Sequence, residues 1–215
     1  MREVVTVMGA GPGLGNAVAR RFAAEGAAVA LLARDAGRLR GLAEPLGALP
    51  VPADVADPRS LRTAFDTVRQ TLGDPTVLVF NVGTNLTGPP SGLSVEGFRA
   101  AMLAGPAALL LATQEVLPAM RAAGRGTILV TGSGQAVSPM AEFGAVGPQK
   151  AAVRALALVL ADELAPAGIH VTTVTIQGGI EAGTHFDPDL IAERFWAVHT
   201  EPSESWRGES VYAQP

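Results

Sequence analysis

A chain of 215 residues with a formal charge of −4 and 48% hydrophobic side chains suits one domain with a sizeable core. Its acidic balance offers no electrostatic pull toward nucleic acid or an anionic membrane, so neither is expected as a partner. Cysteine is absent, which excludes disulfides and thiolate chemistry.

The opening run, MREVVTVMGAG, enters a strand at once and carries no secretory pattern. Longer apolar stretches are interrupted by Arg, Glu or Gly before they reach bilayer length, and the expectation is a soluble, cytoplasmic protein. Residues 4–8, 28–32, 77–80, 127–131 and 171–176 are nearly continuous in apolar side chains, as parallel strands buried on both faces are. A weaker strand is expected near 48–51, and helices over 13–25, 59–71, 95–123 and 148–165. This alternation predicts an α/β fold, a Rossmann-type doubly wound parallel sheet of about six strands in a single domain.

Between residues 151 and 161 the only charge is Arg154, so that helix has no water-facing side. A partner subunit is expected to cover it, giving a homodimer or homotetramer through the helices at 95–123 and 148–165. Beyond Ile180 a helix is expected over 187–199, anchored by Phe195 and Trp196. Pro202 then breaks into a polar tail docked by Trp206, without a recognisable seventh strand.

The stretch VTVMGAGPGLGNAVARRF sets glycines at 9, 11, 13 and 15 between the first strand and the first helix. Glycine there permits a tight turn and lets a pyrophosphate reach the helix N-terminus. A Walker loop would need G-K-[ST], but Asn16 follows Gly15. The G-x-G-x-x-G spacing also fails, because its last position falls on Leu14 or Asn16. GAGPG resembles the first motif of S-adenosylmethionine methyltransferases, yet Val7 stands where that family usually has an acid. The spacing that fits is G-x-x-x-G-x-G, read as Gly9, Gly13 and Gly15, with Leu14 between the last two.

That turn resembles the short-chain dehydrogenase/reductase family, and further landmarks follow in order over residues 4–182. Arg34 follows the second strand, whose end, an acid in members that prefer NAD, is Ala33 here. A guanidinium can instead fork onto a 2′-phosphate, so the resemblance implies NADP, with NAD the less favoured cofactor. PADVAD places Asp54 and Val55 at the adenine ring, and LVFNVG matches Asn81 and Gly83 of the family's N-N-A-G. GTILVTGSG leads to the active-site serine at Ser133. PQKAAVRALALVLADELAPAGIHVTTV resembles the family's sixth helix and following strand. IQGGI resembles the next turn, with Gly178 matching and Ile180 placed to meet the nicotinamide amide. Residues 1–182 then form the NAD(P)-binding region, and 183–215 the lid helix and tail of the same domain; no metal site is expected.

Lys150, the only lysine beside fifteen arginines, falls on the lysine of the family's Y-x-x-x-K motif. In that motif the ammonium bonds the nicotinamide ribose, where a compact donor fits better than a planar fork. The family's tyrosine acid/base, however, falls on Val146, and its asparagine on Gly105, leaving Ser133 and Lys150 as catalytic candidates. Hydride reduction of a carbonyl makes an alkoxide that must take up a proton, and losing acid–base help costs about a hundred- to ten-thousandfold. Glu142, His185, His199 and Tyr212 are the substitutes to be weighed. A Ser133–Lys150 nucleophile pair would need a desolvated lysine, of which the sequence shows no sign. Two readings remain: an NADP-dependent oxidoreductase of unknown small-molecule substrate, and a cofactor-binding sensor or partner subunit without turnover. Restoring Val146→Tyr together with Gly105→Asn is expected to raise carbonyl reduction.

Overall fold

Seven strands build the sheet: β1 (Val4–Met8), β2 (Ala28–Ala33), β3 (Leu49–Pro52), β4 (Val77–Phe80), β5 (Gly126–Ser133), β6 (Ile169–Ile176) and β7 (Glu209–Tyr212). In the computed structural model, which describes residues 2–214, all are parallel in the order β3-β2-β1-β4-β5-β6-β7. The order reverses between β1 and β4, and such a switch point opens a crevice at the carboxyl ends of the strands. Helices α1 (Leu14–Ala24), α2 (Ala36–Ala43), α3 (Pro58–Leu72), α4 (Val95–Met102), α5 (Ala108–Ala123), α6 (Val146–Leu164) and α7 (Pro188–Thr200) cover both faces. Two apolar layers result. One packs α3, α5 and α6 through Phe65, Leu109 and Val153, the other α1 and α7 through Phe22 and Phe195.

Local chemistry explains several boundaries. Asp57 caps α3 by accepting from Arg59 N at 2.9 Å, with Pro58 in the first helical position, where its missing N–H costs nothing. Helix α2, which the sequence reading passed over, starts at Asp35, whose carboxylate accepts from Gly37 N and Arg38 N at 3.0 Å each.

Helices α4 and α5 are one run of 29 residues, Val95–Ala123, joined by a π-helical turn at Leu103–Ala107 that contains Pro106. That run is long and apolar enough to cross a membrane, which corrects the expectation that every apolar stretch is broken too soon. Its inner face, Leu109, Ala112, Val116 and Met120, is buried in the layer shared with α3 and α6.

The C-terminal region departs most from expectation. Helix α7 is no lid: Trp196 meets Phe22 of α1 edge-on at 5.2 Å, and Arg21 lies over the Trp196 ring at 4.6 Å. Its His199 contacts Thr127 Oγ1 and Glu3 Oε2, at the amino ends of the strands and opposite the crevice. The supposed polar tail supplies β7, which pairs with β6 from Thr173↔Glu209 to Ile176↔Tyr212. Glu209 binds Arg154 of α6 and accepts from Thr175 Oγ1 at 2.6 Å. The lone charge on that stretch of α6 therefore secures an edge strand. Trp206 does dock the connection: it stacks on the buried His170 at 4.7 Å and donates Nε1–H to Glu201 O at 3.2 Å. The outer face of α6 stays uncovered along Ala151, Ala155 and Val159, the last 64% exposed.

Candidate functional site

A cleft of about 740 Å³ opens at the β1/β4 switch, lined among others by Gly9, Arg34, Arg38, Asp54, Asn81 and Thr84. Gly9 sits at φ 76°, and a Cβ there would collide with Asn81 O, so only glycine serves. A Cβ on Gly15 would stand 2.7 Å from Gly9 O and 2.9 Å from Asn81 Nδ2. Asn81 knits the bend together, donating Nδ2–H to Gly9 O at 3.0 Å and accepting from Thr131 Oγ1 at 2.9 Å. Gly13 is the N-cap of α1 without a side-chain partner for the first-turn N–H groups, the arrangement that suits an anion. Replacing Gly9 with alanine is expected to cost at least about 2 kcal/mol from left-handed strain and the clash. Urea denaturation measures it; an unchanged midpoint would refute the packing argument.

The cleft gathers Gly9, Arg34, Asp54, Val55, Asn81 and Gly83. Gly13, Leu14 and Gly15 start α1 behind it, while Ser133, Gly178 and Ile180 stand at the ends of β5 and β6, outside its lining. The Phe186 ring lies against Gly178, leaving no room for a side chain there, and Ile180 is exposed. Arg38 was missed by sequence reasoning and lines the cleft with Arg34. Its signal was present: Asp35 as a helix cap sets residue 38 in the first turn. Asp35 makes no ion pair with Arg34 or Arg38 among the described residues; its Oδ1 accepts from the backbone of Arg38 and Gly37, and backbone N–H donation, from Arg38 first, lowers its pKa.

Lys150 is 7% exposed and donates from Nζ to Thr131 O at 2.8 Å and Val82 O at 3.0 Å. Burial lowers its pKa to about 8, which corrects the expectation that nothing desolvates it. Its Cε lies 3.8 Å from where a Cβ on Gly83 would be, so the ammonium stem borders the cleft wall. Ser133 Oγ accepts from Gln135 N at 3.2 Å, and no Ser133–Lys150 hydrogen bond exists among the described residues. Val146 opens α6 one turn before Lys150, and is half-buried.

Among the described residues no hydrogen bond joins any of the proposed substitutes to Ser133 or Lys150. Glu142 is exposed in a turn before α6, its carbonyl accepting from Gly88 N at 2.7 Å. Tyr212 is fixed in β7 and donates its hydroxyl to His185 O at 2.9 Å, while His185 Nε2 lies 2.9 Å from Ala213 O. Gly105 lies inside the π-helical turn, where a Cβ would stand 2.5 Å from Gln149 Cγ. An asparagine at 105 has no room beside Gln149, which corrects the expected benefit of Gly105→Asn.

Residues 3–187 match the family model for short chain dehydrogenases. The chain belongs to the short chain dehydrogenase family. Over 186 residues it is 32% identical to the NADP-dependent 3-hydroxy acid dehydrogenase YdfG of Salmonella typhi, spanning 85% of this chain and 74% of the relative. Over 177 residues it is 31% identical to glucose 1-dehydrogenase of Gluconobacter oxydans, spanning 79% of this chain but only 66% of that protein. A solved short-chain dehydrogenase from Rhodopseudomonas palustris superposes with a TM-score of 0.87 at 27% identity, over 99% of this chain and 98% of the other.

Proposed function

We propose that this short chain dehydrogenase binds NADP(H) in preference to NAD(H), and is an oxidoreductase whose proton delivery is non-standard or impaired. The observation that carries the reading is the pair of guanidiniums, Arg34 and Arg38, on one cleft wall, with the neighbouring carboxylate turned into a helix cap. The NADP dependence named for the Salmonella relative agrees with it. The cradle fits a dinucleotide: Gly9 permits close approach, and the uncapped start of α1 offers N–H groups to a pyrophosphate.

When bound, the nicotinamide supplies or accepts a hydride. Lys150 has spent two of its three donors on carbonyls, leaving one for a ribose hydroxyl. The Ser133 oxygen accepts from the backbone, and its O–H remains to bond a substrate oxygen. Val146 gives no proton, so the site favours a substrate needing little protonic help, such as an activated double bond. The exposed stripe at Ala151, Ala155 and Val159, with Leu110 exposed on α5, supports a homodimer or homotetramer through these helices.

Fluorescence titration with NADPH and NADH tests the cofactor reading. Replacing Arg34 and Arg38 with alanine is expected to weaken NADPH by about tenfold or more, each charged hydrogen bond contributing about 1.5–3 kcal/mol, and to leave NADH nearly unchanged. Equal losses for both cofactors, or no binding of either by the parent, would overturn it. The second reading, cofactor binding without turnover, is favoured by one observation: among the described residues no hydrogen bond joins Glu142, His185, His199 or Tyr212 to Lys150. A parent that binds NADPH yet consumes none across carbonyls and enones would establish it.

A further inference from the structure

Gln149 immediately precedes Lys150 in α6 and is completely buried. A buried amide is costly unless both its donor and its acceptor find partners. Here both do. Nε2 donates to Ala101 O of α4 at 2.6 Å, and Oε1 accepts from Thr84 N at 3.2 Å. Thr84 belongs to the wall of the cleft, and its own hydroxyl accepts from Leu86 N at 3.1 Å, which carries the order further along that wall. Two residues earlier, Val82 O accepts from the Lys150 ammonium. Two consecutive α6 residues thus grip the segment after β4 at 82 and at 84.

The space for this side chain is made on the opposing helix. Gly105 is buried in the π-helical turn, and a Cβ there would stand 2.5 Å from Gln149 Cγ, 3.0 Å from Cδ and 3.1 Å from Nε2. A long amide on α6 and a missing side chain at 105 are therefore complementary halves of one contact.

We infer that Gln149 is a positioning residue of the cleft, its amide bracing the wall at Thr84 against α4 so that the wall and the adjacent ammonium keep the geometry for a bound dinucleotide. This rests on the cleft being the NADP(H) site. Its distinctive requirement is the amide, not the volume: Gln149→Met fills the same space while leaving Thr84 N and Ala101 O unpaired.

The experiment uses the full chain, with NADPH as the titrant. Q149M is expected to bind NADPH about tenfold or more weakly, the consequence of a buried carbonyl and a half-buried N–H losing their partner. It is also expected to move the alkaline titration of Lys150 upward from about 8, as the loosened wall admits water. A companion variant, G105A/Q149A, removes the clash and the amide together. G105A alone should lower the melting temperature, the double variant should recover it, and NADPH affinity should stay weak in the double variant. A purely structural role predicts that affinity follows stability. Should Q149M not fold, the double variant carries the same decision. If the parent binds NADPH and both variants bind it within about twofold of the parent, well under the effect of an unpaired buried group, the inference is wrong. If the parent itself binds no NADPH, it is the cofactor reading that fails.

Discussion

Between pH 8 and pH 10.5 the protein is expected to gain about 3 kcal/mol of stability, and Lys150→Met is expected to remove the gain. Burial depresses the lysine's pKa from 10.5 to about 8 in the folded state, whereas the unfolded chain keeps the ordinary value. Below 8 both states hold the proton, and the fold bears the full cost of a desolvated ammonium. As pH rises through the window the folded state releases its proton first, the unfolded state binds more protons, and unfolding becomes harder. Above 10.5 both are neutral and the cost is gone.

Composition makes this limb readable. Lys150 is the only lysine, cysteine is absent, and Tyr212 is the only tyrosine, so little else titrates in the interval. Urea denaturation at stepped pH, for parent and K150M, measures it. Stability that falls or stays level through the window would refute the burial of the ammonium. In the parent, NADPH affinity should move oppositely, weakening as the ammonium loses its charge, while the mutant binds weakly throughout.

The second large effect is a gain of function. Val146→Tyr alone, with Gly105 left in place, is expected to raise carbonyl reduction by about a hundred- to ten-thousandfold, the usual worth of a positioned acid. Val146 starts α6 and Lys150 follows one turn later, so the two side chains share a helix face. A phenol there would sit beside a cation that favours its ionised form and lowers its pKa. Gly105→Asn is omitted because Gln149 already fills that space. The readout is NADPH consumption with a panel of small aldehydes and ketones. A variant that folds and binds NADPH as tightly as the parent, yet consumes none, would show that the acid's position is not the missing element.

The central sheet was legible because β1, β2, β4, β5 and β6 are buried on both faces and their apolar runs say so. Strand β7 was not, since ESVY is four residues long and its Glu209 is held by Arg154, a partner fifty-five residues away. Helix α7 kept its boundaries but not its role, because Phe195 and Trp196 announce burial without saying against what. At the site, the glycine bend could be read from spacing alone. Arg38 was readable only through Asp35, which as the cap of α2 sets residue 38 in the first turn beside the cleft. The depressed pKa of Lys150 had no sequence signal, for desolvation depends on the carbonyls and strand ends that fold around it.

A molecule with so few primary amines carries its own reporter. Apart from the α-amino group, acylating reagents meet a single lysine, and it is buried behind the cleft wall at Gly83 rather than on the surface. Mass spectrometry after brief amine labelling would then count one modification whose rate tracks how often that wall opens. Any molecule settling in the cleft would declare itself by shielding that one nitrogen, before its identity is known.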